Sequence, residues 1–395
     1  MASGTSKKQS TPGGALSTYP WWAPRFWHGM TFGVWIGLLW RNRFRVSPSR
    51  IPMAFAITAV SLFNSALACL QWLVLSRKVQ RSAPLQPPIF IIGHWRSGTT
   101  YLHELMVLDN RLAFPTTYEC LSPSHFLVSG WFITRWMKFL LPRKRPMDNM
   151  SAGWDLPQED EFALCNLGLG SPYTTMAFPN RPPQDQEYLD LTNLPAPAVQ
   201  RWKDGMHWFL RHVAYAKPGK PIVLKSPPHT ARIKVLLELF PDAKFVHIVR
   251  NPLSVFPSTV RLWRSLYEVN GLQVDDGHDL TEEIFDSFDR MYRDFDEQFG
   301  KIPSNRAFEV RYEDLVQNPV EQLQALYERF ELADFEVARA AIEAAVQSSK
   351  NYRTNRFNVP DETQALILDR LGPFIQRYGY AESFVAVPTV GTPAS

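Results

Sequence analysis

The stretch PIFIIGHWRSGTTYLHELM, Pro88 to Met106, constrains the fold more than any other part of the chain. Ile89 to Gly93 is a short apolar, β-branched run of the kind buried on both faces of a parallel sheet. An amphipathic run, Thr99 to Asp109, follows it after a turn. A strand, a loop and a helix in that order, with four residues between Gly93 and Gly98, have the spacing of a phosphate-binding loop. The lysine that reaches the β- and γ-phosphates in such loops is missing, because Thr99 stands in its place. Backbone N–H groups of Ser97 to Thr100 and the positive end of the helix still favour an anion. Thr99 and Thr100 add hydroxyls, and the cation has moved to Arg96. The loop therefore suits a 5′-phosphate beside a group whose transfer does not use the Mg²⁺ and lysine arrangement of a nucleoside triphosphatase.

The same alternation continues downstream. KPIVLK (Lys220 to Lys225), TARIKVLLELF (Thr230 to Phe240), AKFVHIVR (Ala243 to Arg250) and PLSVFPSTVRLWRSL (Pro252 to Leu266) read as strand, helix, strand, helix. AFEVRY (Ala307 to Tyr312) is a further strand before the helix PVEQLQALYERFEL. This order predicts an α/β fold, a P-loop-like three-layer α/β/α domain with a central parallel sheet, over residues 83–385. In such sheets ligands sit beyond the carboxyl ends of the strands, so the residues after each strand are the candidates. A chain of 395 residues with 45% apolar content can bury that core.

The ends and the first 82 residues read differently. Residues 1–18 and 386–395 are small, polar and Gly/Pro-rich, and are expected to be disordered tails. Residues 19–82 form an aromatic-rich helical segment with two apolar runs. Phe26 to Trp40 is shorter than the roughly 20 residues of a spanning helix. Met53 to Leu75 is long enough, but Thr58, Ser61, Asn64, Ser65 and Gln71 fall mostly on one helical face. Arg41, Arg43, Arg45 and Arg50 follow the first run, and Arg77, Lys78 and Arg81 the second, so a spanning hairpin would put basic clusters on both sides of a membrane. Trp21, Trp22, Trp27, Trp35 and Trp40 crowd the segment, as rings do at a headgroup boundary. Three readings stand: a helical pair packed on the catalytic domain, attachment to a membrane surface, and a true span. Cys69, Cys120 and Cys165 have no metal-ligand spacing and read as buried free thiols of a reducing compartment. No secretory signal is evident. The expected location is the cytoplasm, free or peripheral on its membrane. A net charge of +4 with no basic cluster interleaved with aromatics in the soluble part gives no case for nucleic acid.

GHWRSGTTYLHELM resembles the 5′-phosphosulfate loop of the sulfotransferase superfamily that uses 3′-phosphoadenosine 5′-phosphosulfate (PAPS), in the version with arginine in place of lysine. FVHIVRNPLSVFPSTVRLW is similar to its 3′-phosphate segment, an arginine ending a strand and a serine eight residues later, here Arg250 and Ser258. VLKSPPHTARIKVLLELF, PQEDEFAL and RYEDLVQNP extend the resemblance, and KNYRTNRFN near the end is a candidate further cofactor loop. A lone arginine at a strand end is ordinarily a surface ion pair. Two of them, each after an apolar strand and beside hydroxyls, reverse that reading.

The resemblance implies a PAPS site made by Arg96, Ser97, Gly98, Thr99, Thr100, Arg250 and Ser258, and no metal. Sulfuryl transfer is an in-line displacement in which a nucleophile is deprotonated and charge grows on the bridging oxygen. Arg96 is the expected cation for that oxygen and Lys225 the second, supported by Ser226. For the base, Glu119 in FPTTYECLSP matches the glutamate of related bacterial and tyrosylprotein enzymes, and His229 in KSPPHTA is the rival. His94 and His103 flank the loop. QEDE, Gln158 to Glu161, reads as an acidic helix start that suits the helix dipole. The acceptor is expected to be a small molecule, lipid or glycan offering a hydroxyl or amine, held by loops such as Phe126 to Met150. Two alternatives differ in kind: a phosphoryl-transfer enzyme, which would want lysine at position 99, and a non-catalytic nucleotide-binding protein, which would have no use for Lys225 or a base.

Overall fold

The computed structural model describes residues 19–349 and 359–384, apart from 21–22, 138, 140 and 142–152. The two tails, Trp21 and Trp22, KNYRTNRFN and most of the stretch after Trp136 up to Met150 lie outside the described residues. The helices, in chain order, are α1 (Phe32–Arg41), α2 (Ile51–Gln80), α3 (Thr99–Met106), α4 (Thr117–Leu121), α5 (Phe126–Trp136), α6 (Asp160–Asn166), α7 (Ala196–Ala216) and α8 (Ile233–Leu239). They continue with α9 (Pro252–Asn270), α10 (Thr281–Tyr292), α11 (Phe295–Gly300), α12 (Tyr312–Gln317), α13 (Pro319–Arg329), α14 (Glu336–Ser349) and α15 (Asp361–Arg377).

Strands β1 (Ile89–Ile92), β2 (Val223–Lys225), β3 (Lys244–Val249) and β4 (Ala307–Arg311) form one parallel sheet in the order β2-β1-β3-β4. Each falls inside a run that the sequence predicts as strand. Phe90 stands opposite Leu224 on one side and Phe245 on the other, so β1 is central. Its side chains alternate between two cores, as the period of two requires. Phe90 and Ile92 pack with Trp202, Met206 and Phe209 of α7, whereas Ile89 and Ile91 pack with Leu102 and Leu105 of α3 and Leu323 of α13. Helices therefore cover both faces, and all four residues of β1 are essentially buried. β2 is shorter than KPIVLK predicts, and Ala113 bridges to Ile222 on its outer side, donating to Pro221 O (2.8 Å) and accepting from Val223 N (2.7 Å).

The N-terminal segment packs on this domain. Trp27 Nε1 donates to Asn270 O (2.6 Å) and Asn270 Oδ1 accepts from Phe26 N (3.0 Å). Trp27 and Trp35 are fully buried in one apolar cluster with Trp95, Phe256 and Leu266. The boundary drawn at residue 82 thus does not separate two cores. Cys120 and Cys165 are buried free thiols as expected, but Cys69 is exposed on α2.

Burial has a consequence for acid stability. His28, His94 and His125 are each pushed down to about 4 by desolvation, from 6.5. The unfolded chain therefore binds up to three more protons than the folded one between about pH 4 and 6.5, and stability must fall as pH drops through that window. A urea midpoint at pH 5 is expected to lie well below that at pH 7.5, with most of the loss beginning under pH 6.5, before carboxylates titrate. Equal midpoints would contradict neutral burial of these imidazoles.

Candidate active site

The loop after β1 is shaped by backbone that few residues tolerate. Gly93 has φ 145° and Gly98 φ 105°. A Cβ on Gly93 would come within 2.3 Å of Ile248 O, and one on Gly98 within 2.2 Å of the Tyr312 ring. Glycine is required at both places. Gly93 N donates to Thr230 Oγ1 (2.8 Å), which ties the loop to the segment after β2. Arg96 itself is left-handed, φ 67°, an uncommon state for a residue with a side chain and one found at functional turns. Ser97 Oγ is buried with no hydrogen-bond partner among the described residues, a costly state for a hydroxyl unless something accepts from it.

Because β1 and β3 are neighbours, the loop and the residues after β3 meet at one edge of the sheet. Arg96 Nε donates to Ser258 Oγ (2.8 Å) on α9, and Arg250 Nη1 donates to Arg96 O (3.2 Å). The Arg250 guanidinium lies 4.2 Å from the centre of the Tyr312 ring, which in turn packs on Gly98. The sequence places Arg96 at the bridging oxygen and Ser258 at the 3′-phosphate; the structure joins the two directly. Tyr312, from the RYEDL motif, lies between the Arg250 guanidinium and Gly98 of the loop.

A second cluster forms where α6 meets the end of β2. Three consecutive acids pair with three bases. Glu159 Oε1 accepts from Lys225 Nζ (2.6 Å), Asp160 Oδ2 lies 2.6 Å from His229 Nε2, and Glu161 takes a two-pronged contact from Arg232 (2.5 and 3.1 Å). Asp160, Glu161, His229 and Arg232 are wholly buried, whereas Glu159 keeps partial access. Ser226 Oγ donates to Asp160 Oδ1 (2.8 Å) and Ser171 Oγ to Glu161 Oε1 (2.6 Å), so the buried carboxylates are well satisfied. Burial alone would raise the Asp160 carboxyl, but the charge and hydrogen bond of His229, with that of Ser226, hold it below its ordinary value. QEDE does start a helix, as expected, and its carboxylates face inward onto cations.

Glu159 is also wired to the loop after β1. Its Oε2 accepts from Tyr173 OH (2.5 Å), and Tyr173 OH accepts from Trp95 Nε1 (2.9 Å). Burial, and next the negative charge of Glu159, push the Tyr173 phenol well above its ordinary value, so it remains a donor. Lys225, at the end of β2, is thereby fixed within one side chain of a carboxylate connected to the loop.

The two residues that the sequence nominates as base are engaged elsewhere. Glu119 closes a capping box at the start of α4: Thr116 N donates to its Oε2 (2.8 Å), and Glu119 N donates to Thr116 Oγ1 (3.3 Å). The same oxygen accepts from Lys217 Nζ (2.7 Å). His229 is sealed in the core on Asp160. Thr99 is buried at the head of α3, and His94 and His103 are buried near the loop. Glu159, Tyr173, Thr230 and Tyr312 join these clusters although the sequence does not nominate them as site residues. A usable signal existed for the first: an acidic run before an apolar helix, matched in number by Lys225, His229 and Arg232.

Comparison with known proteins agrees with this geometry. Residues 87–336 match the family described as Sulfotransferase family. The omega-hydroxy-beta-dihydromenaquinone-9 sulfotransferase Stf3 of Mycobacterium bovis is 44% identical over 365 residues, which cover 92% of this chain and 94% of that protein. Stf3 of Mycobacterium tuberculosis gives the same values. Among solved structures, sulfotransferase STF9 from Mycobacterium avium matches with a TM-score of 0.61 and 17% identity, over 88% of this chain and 96% of that one. Sulfotransferase STF1 from Mycobacterium tuberculosis matches with a TM-score of 0.53 and 19% identity, over 79% and 85%. These structures share the fold that carries the loop and the Arg250 segment. The chain therefore belongs to the sulfotransferase family and is an enzyme of sulfuryl transfer.

Proposed function

We propose that the chain transfers the sulfuryl group of PAPS to the hydroxyl of an apolar, lipid acceptor. The observation that supports the donor assignment is the direct meeting of Arg96 with Ser258 and Arg250, which brings the loop after β1 and the segment after β3 to one edge of the sheet. The residues fit the donor. Ser97 Oγ is a buried hydroxyl in need of an acceptor, and the loop leads into the head of α3, where backbone N–H groups favour an anion. Ser97 to Thr100 would hold the 5′ end, and Arg250 with Ser258 the 3′-phosphate. Bound PAPS supplies the sulfuryl group and a phosphate leaving group.

Lys225 Nζ, a buried ammonium held on Glu159, would neutralise charge on a leaving oxygen. Glu159 is the proposed base: Tyr173 orients it through Oε2, and Oε1 takes the acceptor's proton as Lys225 turns to the donor. The 44% identity to an enzyme named for a hydroxylated dihydromenaquinone supports a hydroxyl on a long apolar molecule.

Calorimetry tests the donor. Adenosine 3′,5′-bisphosphate is expected to bind about 10–100-fold more tightly than AMP, the equivalent of roughly 1.5–3 kcal/mol for charge-assisted hydrogen bonds to one phosphate. Arg250→Ala should abolish most of the difference. Equal affinities for the two nucleotides in the unaltered protein would sink the PAPS reading.

A further inference from the structure

Helix α2 is inverted in polarity. Between Arg50 and Arg77 it has no charged side chain, and its polar side chains turn inward. Thr58 Oγ1 accepts from Trp35 Nε1 (2.9 Å), and Asn64 Nδ2 donates to His28 O (2.7 Å) and Met30 O (3.0 Å). Gln71 Nε2 donates to Ser124 O (3.0 Å), and its Oε1 accepts from Leu127 N (2.9 Å). Ser61, Asn64 and Gln71 are buried, whereas Phe55, Phe63, Trp72 and Leu73 are 72%, 58%, 67% and 66% exposed. Neighbouring α5, which touches α2, exposes Trp131 and Trp136, and the end of α1 exposes Trp40. An apolar face of this extent on a helix about 45 Å long is far beyond the scattered apolar residues of an ordinary surface.

Charge says what covers it. The first 103 residues contain eleven lysines and arginines and no acidic residue; all 38 acidic residues lie between 104 and 395. Arg41, Arg43, Arg45 and Arg50 stand before α2, and Arg77, Lys78 and Arg81 at its end. We propose that α2 lies flat in the interfacial layer of a bilayer containing anionic lipid, apolar face into the lipid and basic ends at the headgroups. The helix is long and apolar enough to cross a membrane. Its inward contacts, however, run from Thr58 to Gln71 onto α1, the segment before it and the start of α5, so a span would carry those parts of the body into hydrocarbon. The surface stands independently of the donor and the acceptor, and it would hold the enzyme where a lipid hydroxyl is available.

Cys69 offers a native reporter, since it is exposed on this helix while Cys120 and Cys165 are buried. The full chain, labelled there with a polarity-sensitive maleimide, is mixed with phosphatidylcholine vesicles with or without phosphatidylglycerol. Emission is expected to shift to the blue, and the protein to float, at least about 10-fold more readily with the anionic vesicles. Alkaline carbonate should release it. Phe63→Glu/Leu73→Glu should abolish flotation while adenosine 3′,5′-bisphosphate binding persists, and Arg77→Glu/Lys78→Glu should erase the preference for anionic lipid. Retention after carbonate would establish a span, and a vesicle-insensitive dimer broken by Phe63→Glu/Leu73→Glu would establish a second copy on this face. Either result, or no flotation, overturns the proposal, and none of them touches nucleotide binding, which separates this failure from failure of the sulfotransferase reading.

Discussion

Glu159→Gln is expected to lower turnover by about 10²–10⁴ while adenosine 3′,5′-bisphosphate affinity changes little. Glutamine keeps the shape and can still accept from Tyr173, but it removes the anion that would take the acceptor's proton. The same substitution at Glu119 has a different target. There the carboxylate accepts Thr116 N and Lys217 Nζ, so Glu119→Gln should weaken a helix cap by about 0.5–2 kcal/mol and leave most activity. His229→Ala should also act on stability, because the imidazole is fully buried on Asp160. Single-turnover rates and urea midpoints for the three variants separate these effects. A nearly active Glu159→Gln beside an inactive Glu119→Gln would return the base to Glu119 and leave the donor assignment intact, since that rests on Arg96, Arg250 and Ser258.

Three strands were legible because a strand buried on both faces has to be a short, mostly apolar and β-branched run, as IFII, VLK and KFVHIV largely are, whereas AFEVR is a half-exposed edge strand legible only from its place before the next helix. The loop and Arg250 were legible because they follow those strands directly. Glu159 was not, because its partner Lys225 lies 66 residues away, and the His229 and Arg232 partners of Asp160 and Glu161 lie 69 and 71 away. Nothing in a local acidic run says that a row of cations will be folded against it. The stripe of Thr58, Ser61, Asn64 and Gln71 was visible too, but periodicity fixes only which residues share a face. Which face meets the protein is decided by the polar groups left over at His28, Met30, Ser124 and Leu127, and these took the polar side inward.

The pair of Glu161 and Arg232 is the place where fold and chemistry are most tightly joined. Arg232→Met would strand a fully buried carboxylate with, among the described residues, only the Ser171 hydroxyl for compensation, and would also leave Tyr188 O without the guanidinium that donates to it (3.0 and 2.6 Å). Removing one member of a buried pair costs about 3–5 kcal/mol, so the urea midpoint should drop sharply. Adding Glu161→Gln to Arg232→Met removes the stranded charge, and the double variant should regain about 1–3 kcal/mol over the single one, though not the whole loss, since Tyr188 O stays unpaired. Glu161 is two residues from Glu159 and Arg232 is seven from Lys225, so the pair also sets the distance between the proposed base and its cation. Below its unfolding midpoint, Arg232→Met should therefore turn over at least about 10-fold more slowly while binding adenosine 3′,5′-bisphosphate normally, because small misplacements of reacting groups are felt in turnover before they are felt in binding. A loss under about 1 kcal/mol with unchanged turnover would show instead that the body holds α6 against the end of β2 without this pair.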